Sequence, residues 1–529
     1  MSRRQEKKYE ALSPFELKNK LISMAETRGE KMMLNAGRGN PNWVTMVPRR
    51  AFFLFGQFAV DESERLKHRT RLGNKPEKKG IKKRFLQFLK KRDRLEEARF
   101  LKKAYNYVLT KLKINGNAFI FELTDAILGD HYPTPDRMLS ICEQIVHKYL
   151  EQEMFKGKVP GGKFDLFATE GGTAAMDYIF NSLMENGLTH KGDKIALGTP
   201  IFTPYLEIPR LSDYRFVELE IEQDENDDWQ YPDREIAKLE DPAVKAFFLV
   251  HPSNPTSVAM HQRSLRKVAD LVKRRRPDLV LLTDDVYGTF VNDFKSLAAM
   301  APYNTILVYS FSKYFGATGW RLGVIGLHES NILDKMIKKL PVEVRKQLHQ
   351  RYSTVELDPD NMKLIDRMVA DSRSVALHHT AGLSTPQQVQ MVFFSLYCLI
   401  DKKGSYKQEA QSIVKERFET LYKAAGLTLP ENRYDAHYYT TVDIPSLAKQ
   451  RYGTDFANWL VSEHEPIDFV WQLAEQKQVV LMDGGGFAAP NMSVRVSLAN
   501  LPDEAYAKIG HAISDLLNDY HRRYRRENR

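Results

Sequence analysis

The chain has 529 residues, 43% hydrophobic and 28% charged, the balance of a folded globular protein with room for more than one domain. Lys and Arg outnumber Asp and Glu by 78 to 68, a net charge of +10, and two cysteines alone, Cys142 and Cys398, exclude a disulfide framework. The opening MSRRQEKKYEAL lacks the apolar core of a signal peptide, and no run approaches the ~18 apolar residues of a membrane span, so a cytoplasmic protein with no membrane partner is expected.

Ser13-Pro14-Phe15-Glu16 opens the first expected helix, with Ser13 as N-cap, Pro14 at the first helical position and Glu16 three residues beyond the cap. Leu34 to Trp43 (LNAGRGNPNW) is a loop punctuated by glycine and proline. Residues 51 to 128 read as mostly helical and basic. Phe85, Leu86, Phe88 and Leu89 interleave with the charges at helical spacing, which predicts an amphipathic helix packed on the rest of the chain with its charged face in water. The basic runs here and in the C-terminal HRRYRRENR could attract nucleic acid, but no zinc-finger, RNA-recognition or helix-turn-helix pattern accompanies them, so nucleic acid is disfavoured as a partner.

From about residue 141 short apolar strands alternate with helices. The strands are Asp165 to Ala168, Lys194 to Leu197, Ala246 to Val250, Leu279 to Thr283, Thr305 to Tyr309 and Leu322 to Ile325, with helices such as Gly172 to Glu185 and His261 to Arg275 between them. This rhythm predicts an α/β fold with a largely parallel, doubly wound sheet, in which ligands bind outside the carboxyl ends of the strands. From about residue 400 the rhythm is lost and a smaller α+β domain is expected.

The most informative stretch follows Tyr309: SFSKYFGATGWRLG, Ser310 to Gly323. A lysine at the end of a buried strand is partly desolvated, which favours its neutral amine and lets it bond an aldehyde carbon. Arg321 offers a planar fork of donors for a phosphate, Ser310 and Ser312 offer hydroxyls, and the glycines let the backbone approach a ligand. An aldehyde that carries a phosphate fits this set, and pyridoxal 5′-phosphate (PLP) is such a molecule. The TEGGTAA stretch after the first strand leads into a helix, whose free N–H groups at Gly172 and Thr173 would suit the phosphate.

The full S-x-S-K-x-x-G-x-x-G-x-R-x-G pattern resembles the lysine signature of the fold-type I aminotransferases, the aspartate aminotransferase superfamily. The resemblance implies a PLP-dependent transferase fold with a large cofactor domain and a smaller α+β domain. It implies roles strand end by strand end. Lys313 carries the cofactor, Phe202 stacks on its ring, and Asn254, in HPSNPT, donates to its phenolic oxygen together with Tyr287. Asp284 pairs with the ring nitrogen, while the adjacent Asp285 is expected at the surface. Tyr132, in GDHYPTP, matches a tyrosine that reaches the phosphate of a neighbouring subunit, which implies a homodimer with shared sites and a larger homo-oligomer. Arg495, in RVSLA, matches the arginine that binds the substrate α-carboxylate, with Asn254 beside it.

Further blocks, among them SPFELK, MLNAGRGNPN, TEGGTAAM, DDVYGTF and LIDRMVADSRSVALHHTAGLSTPQQVQM, resemble a bifunctional branch of that superfamily. That branch removes the side-chain carboxylate of L-aspartate as CO2, gives L-alanine, and transaminates as a side activity. The alternative is a plain aminotransferase for aspartate or aromatic amino acids. Arg38 and Gly39 of the GRGNPN loop match the lid region of relatives and are candidates for holding the β-carboxylate, with His379 as a weaker one. The expected organisation is an N-terminal arm that joins the small domain (1–50), the helical basic segment (51–140), the PLP-binding domain (141–395) and the small domain (396–529).

Overall fold

A computed structural model describes residues 3–10, 12–27, 33–133, 136–157, 161–211, 214–373 and 382–528. The strands in chain order are β1 Leu34–Asn35, β2 Phe164–Thr169, β3 Lys194–Thr199, β4 Val217–Glu222, β5 Val244–Val250, β6 Val280–Asp284, β7 Thr305–Ser310, β8 Gly323–His328, β9 Tyr439–Asp443, β10 Val479–Val480, β11 Met482–Asp483 and β12 Ser493–Ser497. Seven of them form one sheet in the order β2-β8-β7-β6-β5-β3-β4. Only β8 runs against its neighbours β2 and β7; the other pairs are parallel.

Every residue of β2, β7 and β8 is buried, as a strand covered by helices on both faces requires. The edge strand β4 was not expected from sequence. Its VELEIE alternates apolar and acidic residues and buries only Ile221, which is how an edge strand keeps its outer face in water. The helices Gly172–Glu185 and Gln262–Arg274 fall where periodicity placed them.

The basic segment is helical at Met46–Arg65, Ile81–Lys90, Glu96–Thr110 and Gly116–Leu128. Ile81, Phe85, Phe88 and Leu89 turn inward against Phe55 and Phe58, so the apolar positions of this segment join the main core and its lysines face outward. Arg84 clamps the buried Glu62 with Nε at 2.8 and 2.9 Å and Nη2 at 2.7 Å, a planar pairing that fixes one helix on the next.

A second core forms around Phe418, Val494, Val496 and the helix Asp503–Glu527, and Leu17, Leu21 and Ala36 from the N-terminal arm pack into it. Its sheet is antiparallel, β11-β12-β9, while β1 pairs with β10. A helix, Arg3–Glu10, precedes the expected one at Pro14–Thr27, where Ser13 Oγ accepts from Glu16 N at 3.4 Å as the capping pattern requires. Two bonds tie this core to the end of β3: Ile201 N donates to Phe487 O at 2.8 Å, and Thr203 Oγ1 to Gly486 O at 2.6 Å. The carboxyl ends of the large sheet therefore lie beside the second core.

Candidate active site

At that junction lies a cavity of about 260 Å³, and the side chains around it come from successive strand ends. Gly172 and Thr173 follow β2, Phe202 follows β3, Asn254 follows β5, Asp284 ends β6, Ser310 ends β7, and Ser312 and Lys313 come just after it. Arg321 closes the set from the turn before β8. Its backbone sits at φ 55°, the left-handed region, and its guanidinium occupies the space that a Cβ on Gly171 would need. A residue with a side chain at position 171 would push Arg321 away from the first turn of the helix Gly172–Glu185.

Lys313 is half-buried, and its Nζ donates to Gly39 O at 3.1 Å. The Tyr438 hydroxyl donates to the same carbonyl at 2.8 Å, so the GRGNPN loop is pinned over the lysine. A Cβ on Gly39 would strike the Tyr439 hydroxyl and come within 3.0 Å of Lys313 Nζ, which is why only glycine fits there.

Asp284 is 5% exposed. Its Oδ2 accepts from the Tyr205 hydroxyl at 2.5 Å and its Oδ1 from Val286 N at 3.2 Å. Burial pushes this carboxyl up to about 6, against the pull of those two donors and of Lys313. A buried carboxylate with no cation bonded to it among the described residues is suited to a protonated ring nitrogen. With the amine of Lys313 on one side, and the helix N-terminus, two serine hydroxyls and Arg321 available for an anion, the donor set fits PLP.

Tyr205 has no counterpart in the sequence reading, because its partner lies 79 residues away and nothing local marks it. Its loss defines an expected result. Tyr205→Phe removes a donor that favours the ionised carboxylate, so the Asp284 pKa rises above about 6 and less of the anion is present near neutrality. PLP titrated into the apoprotein across pH should then bind more weakly, with the midpoint of its pH dependence moved upward. An unchanged midpoint would show that Tyr205 does not tune Asp284.

On the other side of the cavity, Asn254 Nδ2 stands 3.5 Å from the Tyr287 hydroxyl, which donates to the Tyr439 hydroxyl at 3.1 Å. Arg495 is 1% exposed and has no carboxylate partner among the described residues. Its Nη1 donates to Asn254 Oδ1 at 3.2 Å and its Nη2 to Gly37 O at 2.9 Å, while the buried Nε has no partner among the described residues. The guanidinium lies between the rings of Tyr439 and Phe487, 4.4 and 4.8 Å from their centroids. A buried cation with an unused donor is suited to a carboxylate.

Several expectations need correction or qualification. Asp285 is not at the surface: it is 0% exposed, because it points to the opposite face of the sheet from Asp284 and that face is covered too. Thr283 Oγ1 donates to it at 2.5 Å, and burial raises its carboxyl to about 7. Arg38 is exposed and does not line the cavity, whereas its loop neighbour Asn40 does. Lys18, not foreseen, lies half-buried against Gly37, and burial together with the nearby Arg38 and Arg495 lowers its pKa. Tyr132 is 74% exposed, away from the cavity of its own chain. His379 lies outside the described residues.

Comparison with known proteins gives a consistent picture. Residues 165–513 match the family described as aminotransferase class I and II. A bifunctional aspartate aminotransferase and L-aspartate beta-decarboxylase from a Pseudomonas species is 49% identical over 516 residues, 97% of each chain. An aspartate aminotransferase from Pyrococcus horikoshii is 28% identical over 177 residues, 33% of this chain and 43% of its own. Among solved structures, a double mutant of the Thermus thermophilus aspartate aminotransferase superposes with a TM-score of 0.59 at 17% identity, covering 98% of this chain and 99% of that one.

Proposed function

The chain belongs to the aminotransferase class I and II family, and we propose from this that it removes the β-carboxylate of L-aspartate as CO2 and releases L-alanine, with aspartate aminotransferase activity on the side. Its cofactor is pyridoxal 5′-phosphate. The observation that favours this reading over a plain aminotransferase is the extent of the likeness. It runs over 97% of the bifunctional relative, whereas the likeness to the Pyrococcus aspartate aminotransferase stops at 33% of this chain.

When bound, PLP supplies an aldehyde carbon for the substrate amino group and a protonated ring that accepts the electron pair of a breaking bond. The chain's own residues do the rest. Gly172, Thr173, Ser310, Ser312 and Arg321 hold the phosphate, and Phe202 covers the ring. Asn254 and Tyr287 serve the phenolic oxygen, and Asp284 keeps the ring nitrogen protonated. Arg495 and Asn254 bind the α-carboxylate and so fix which face of Cα meets Lys313. Lys313 Nζ takes the proton from Cα and later returns it. Arg38 and Gly39 sit on the side of the β-carboxylate. Arg38, being exposed, acts there through a solvent-screened charge, a weak hold that leaves the carboxylate free to depart.

Tyr132, exposed on its own chain, serves the phosphate site of a second subunit, which makes the working unit a homodimer and allows a larger homo-oligomer. Residues 141–395 bind the cofactor, and 396–529 with the arm 1–50 close over it. The enzyme acts in the cytoplasm, and no described helix is long and apolar enough to cross a membrane. An isotopic label tests the reaction. Carbon from the β-carboxylate of L-aspartate should appear in CO2, and carbon from the α-carboxylate should stay in alanine. Retention of both labels in an oxo acid would instead identify a plain aminotransferase.

A further inference from the structure

This inference rests on the decarboxylation proposed above, and begins from its proton count. Lys313 takes one proton from Cα and must give it back there for L-alanine to form. The bond from Cβ to the β-carboxylate also breaks, and its electron pair must end as a new C–H bond. A second proton is needed, and a separate donor for it keeps the two transfers from competing.

Tyr439 stands where such a donor is required. It opens β9, is 2% exposed, and carries the Arg495 guanidinium on its ring face. Across Gly39, its hydroxyl and Lys313 Nζ face one small volume, the one a Cβ on that glycine would fill. The Tyr439 hydroxyl thus stands beside the amine that works at Cα, and its ring lies under the Arg495 guanidinium assigned to the α-carboxylate. The Tyr439 oxygen accepts from the Tyr287 hydroxyl at 3.1 Å, which leaves its own proton without an acceptor among the described residues.

We propose that Tyr439 is a catalytic residue of the decarboxylation, its hydroxyl protonating Cβ as the β-carboxylate leaves as CO2. The electron pair of the broken bond becomes the new C–H bond. The Tyr439 oxygen then recovers a proton from water, so each turnover takes up one proton.

The test is Tyr439→Phe in the full-length, PLP-loaded protein, a change that keeps the ring beneath Arg495. CO2 release from L-aspartate should fall by about 10²-fold or more, while amino transfer from L-alanine to a 2-oxo acid, which needs no proton at Cβ, stays within about three-fold. With L-aspartate stereospecifically deuterated at Cβ and tritiated water, the wild-type protein should give a methyl group of one configuration, and the variant a mixture. Maleate, a dicarboxylate without an amino group, should shift the cofactor absorbance at the same concentration in both proteins. CO2 release near the wild-type rate with a single methyl configuration would overturn the proposal. So would a joint loss of maleate binding and of both activities, which would mean that Tyr439 only shapes the carboxylate seat. Should the wild-type protein itself release no CO2, the decarboxylation reading fails and this one with it.

Discussion

Lys313→Ala should abolish both activities, lowering kcat by at least about 10³-fold, because one amine both bonds the cofactor and moves the Cα proton. The strand β7 delivers Lys313 half-buried to the cavity with its Nζ on Gly39 O, and no other described lysine lines that space. Borohydride reduction followed by peptide mass mapping checks the assignment independently of rate. The wild-type protein should carry PLP on the peptide that contains Lys313, and the variant on none. A small amine added to the variant should restore part of the turnover, since only the amine is missing. Retention of more than about a tenth of the wild-type kcat would remove Lys313 from the chemistry.

The second large effect is expected at Arg495, where stability and activity should move in opposite directions. A guanidinium buried without an anion costs several kcal/mol of desolvation, of which bonds to Asn254 and Gly37 and two aromatic faces return a part. Arg495→Met fills much of the same volume without a charge. It should therefore raise the unfolding free energy of the apoprotein, by about 1–3 kcal/mol. The same change removes the partner of the substrate α-carboxylate, and kcat/KM for L-aspartate should drop by about 10²- to 10³-fold. Denaturant unfolding and steady-state kinetics on one preparation read both. A variant that is less stable and still binds aspartate normally would show Arg495 to be a structural residue.

The parts of the site that were legible in the sequence are those fixed by local chain geometry. A buried strand that runs into S-x-S-K, or a glycine pair that starts a helix, carries its chemistry within a few residues, so Lys313 and Gly172 could be singled out from the residues themselves, whereas Asp284 and Asn254 came from the family resemblance. The covered faces of β2, β7 and β8 made those strands continuous apolar runs, which is why the large sheet could be read as well. What was not legible depends on partners distant in sequence. Tyr205 meets Asp284 across 79 residues, Tyr439 meets Tyr287 across 152, and Tyr438 reaches Gly39 across 399. In the sequence they are aromatic residues beside apolar stretches, indistinguishable from core. Asp285 was misplaced for a related reason: an acidic residue next to a functional one reads as solvent-facing unless the covering of the second sheet face is known. The alternation in VELEIE did carry a strand signal for β4, one that its charge obscured.

The central claim is that the β-carboxylate leaves and the cofactor returns to its starting form on each turnover. The PLP-loaded protein should be given excess L-aspartate with no 2-oxo acid, and CO2 and L-alanine followed together. The account predicts equal, sustained release of both over many turnovers. A single burst of oxaloacetate that stops, with the cofactor left in its amino form, would contradict it.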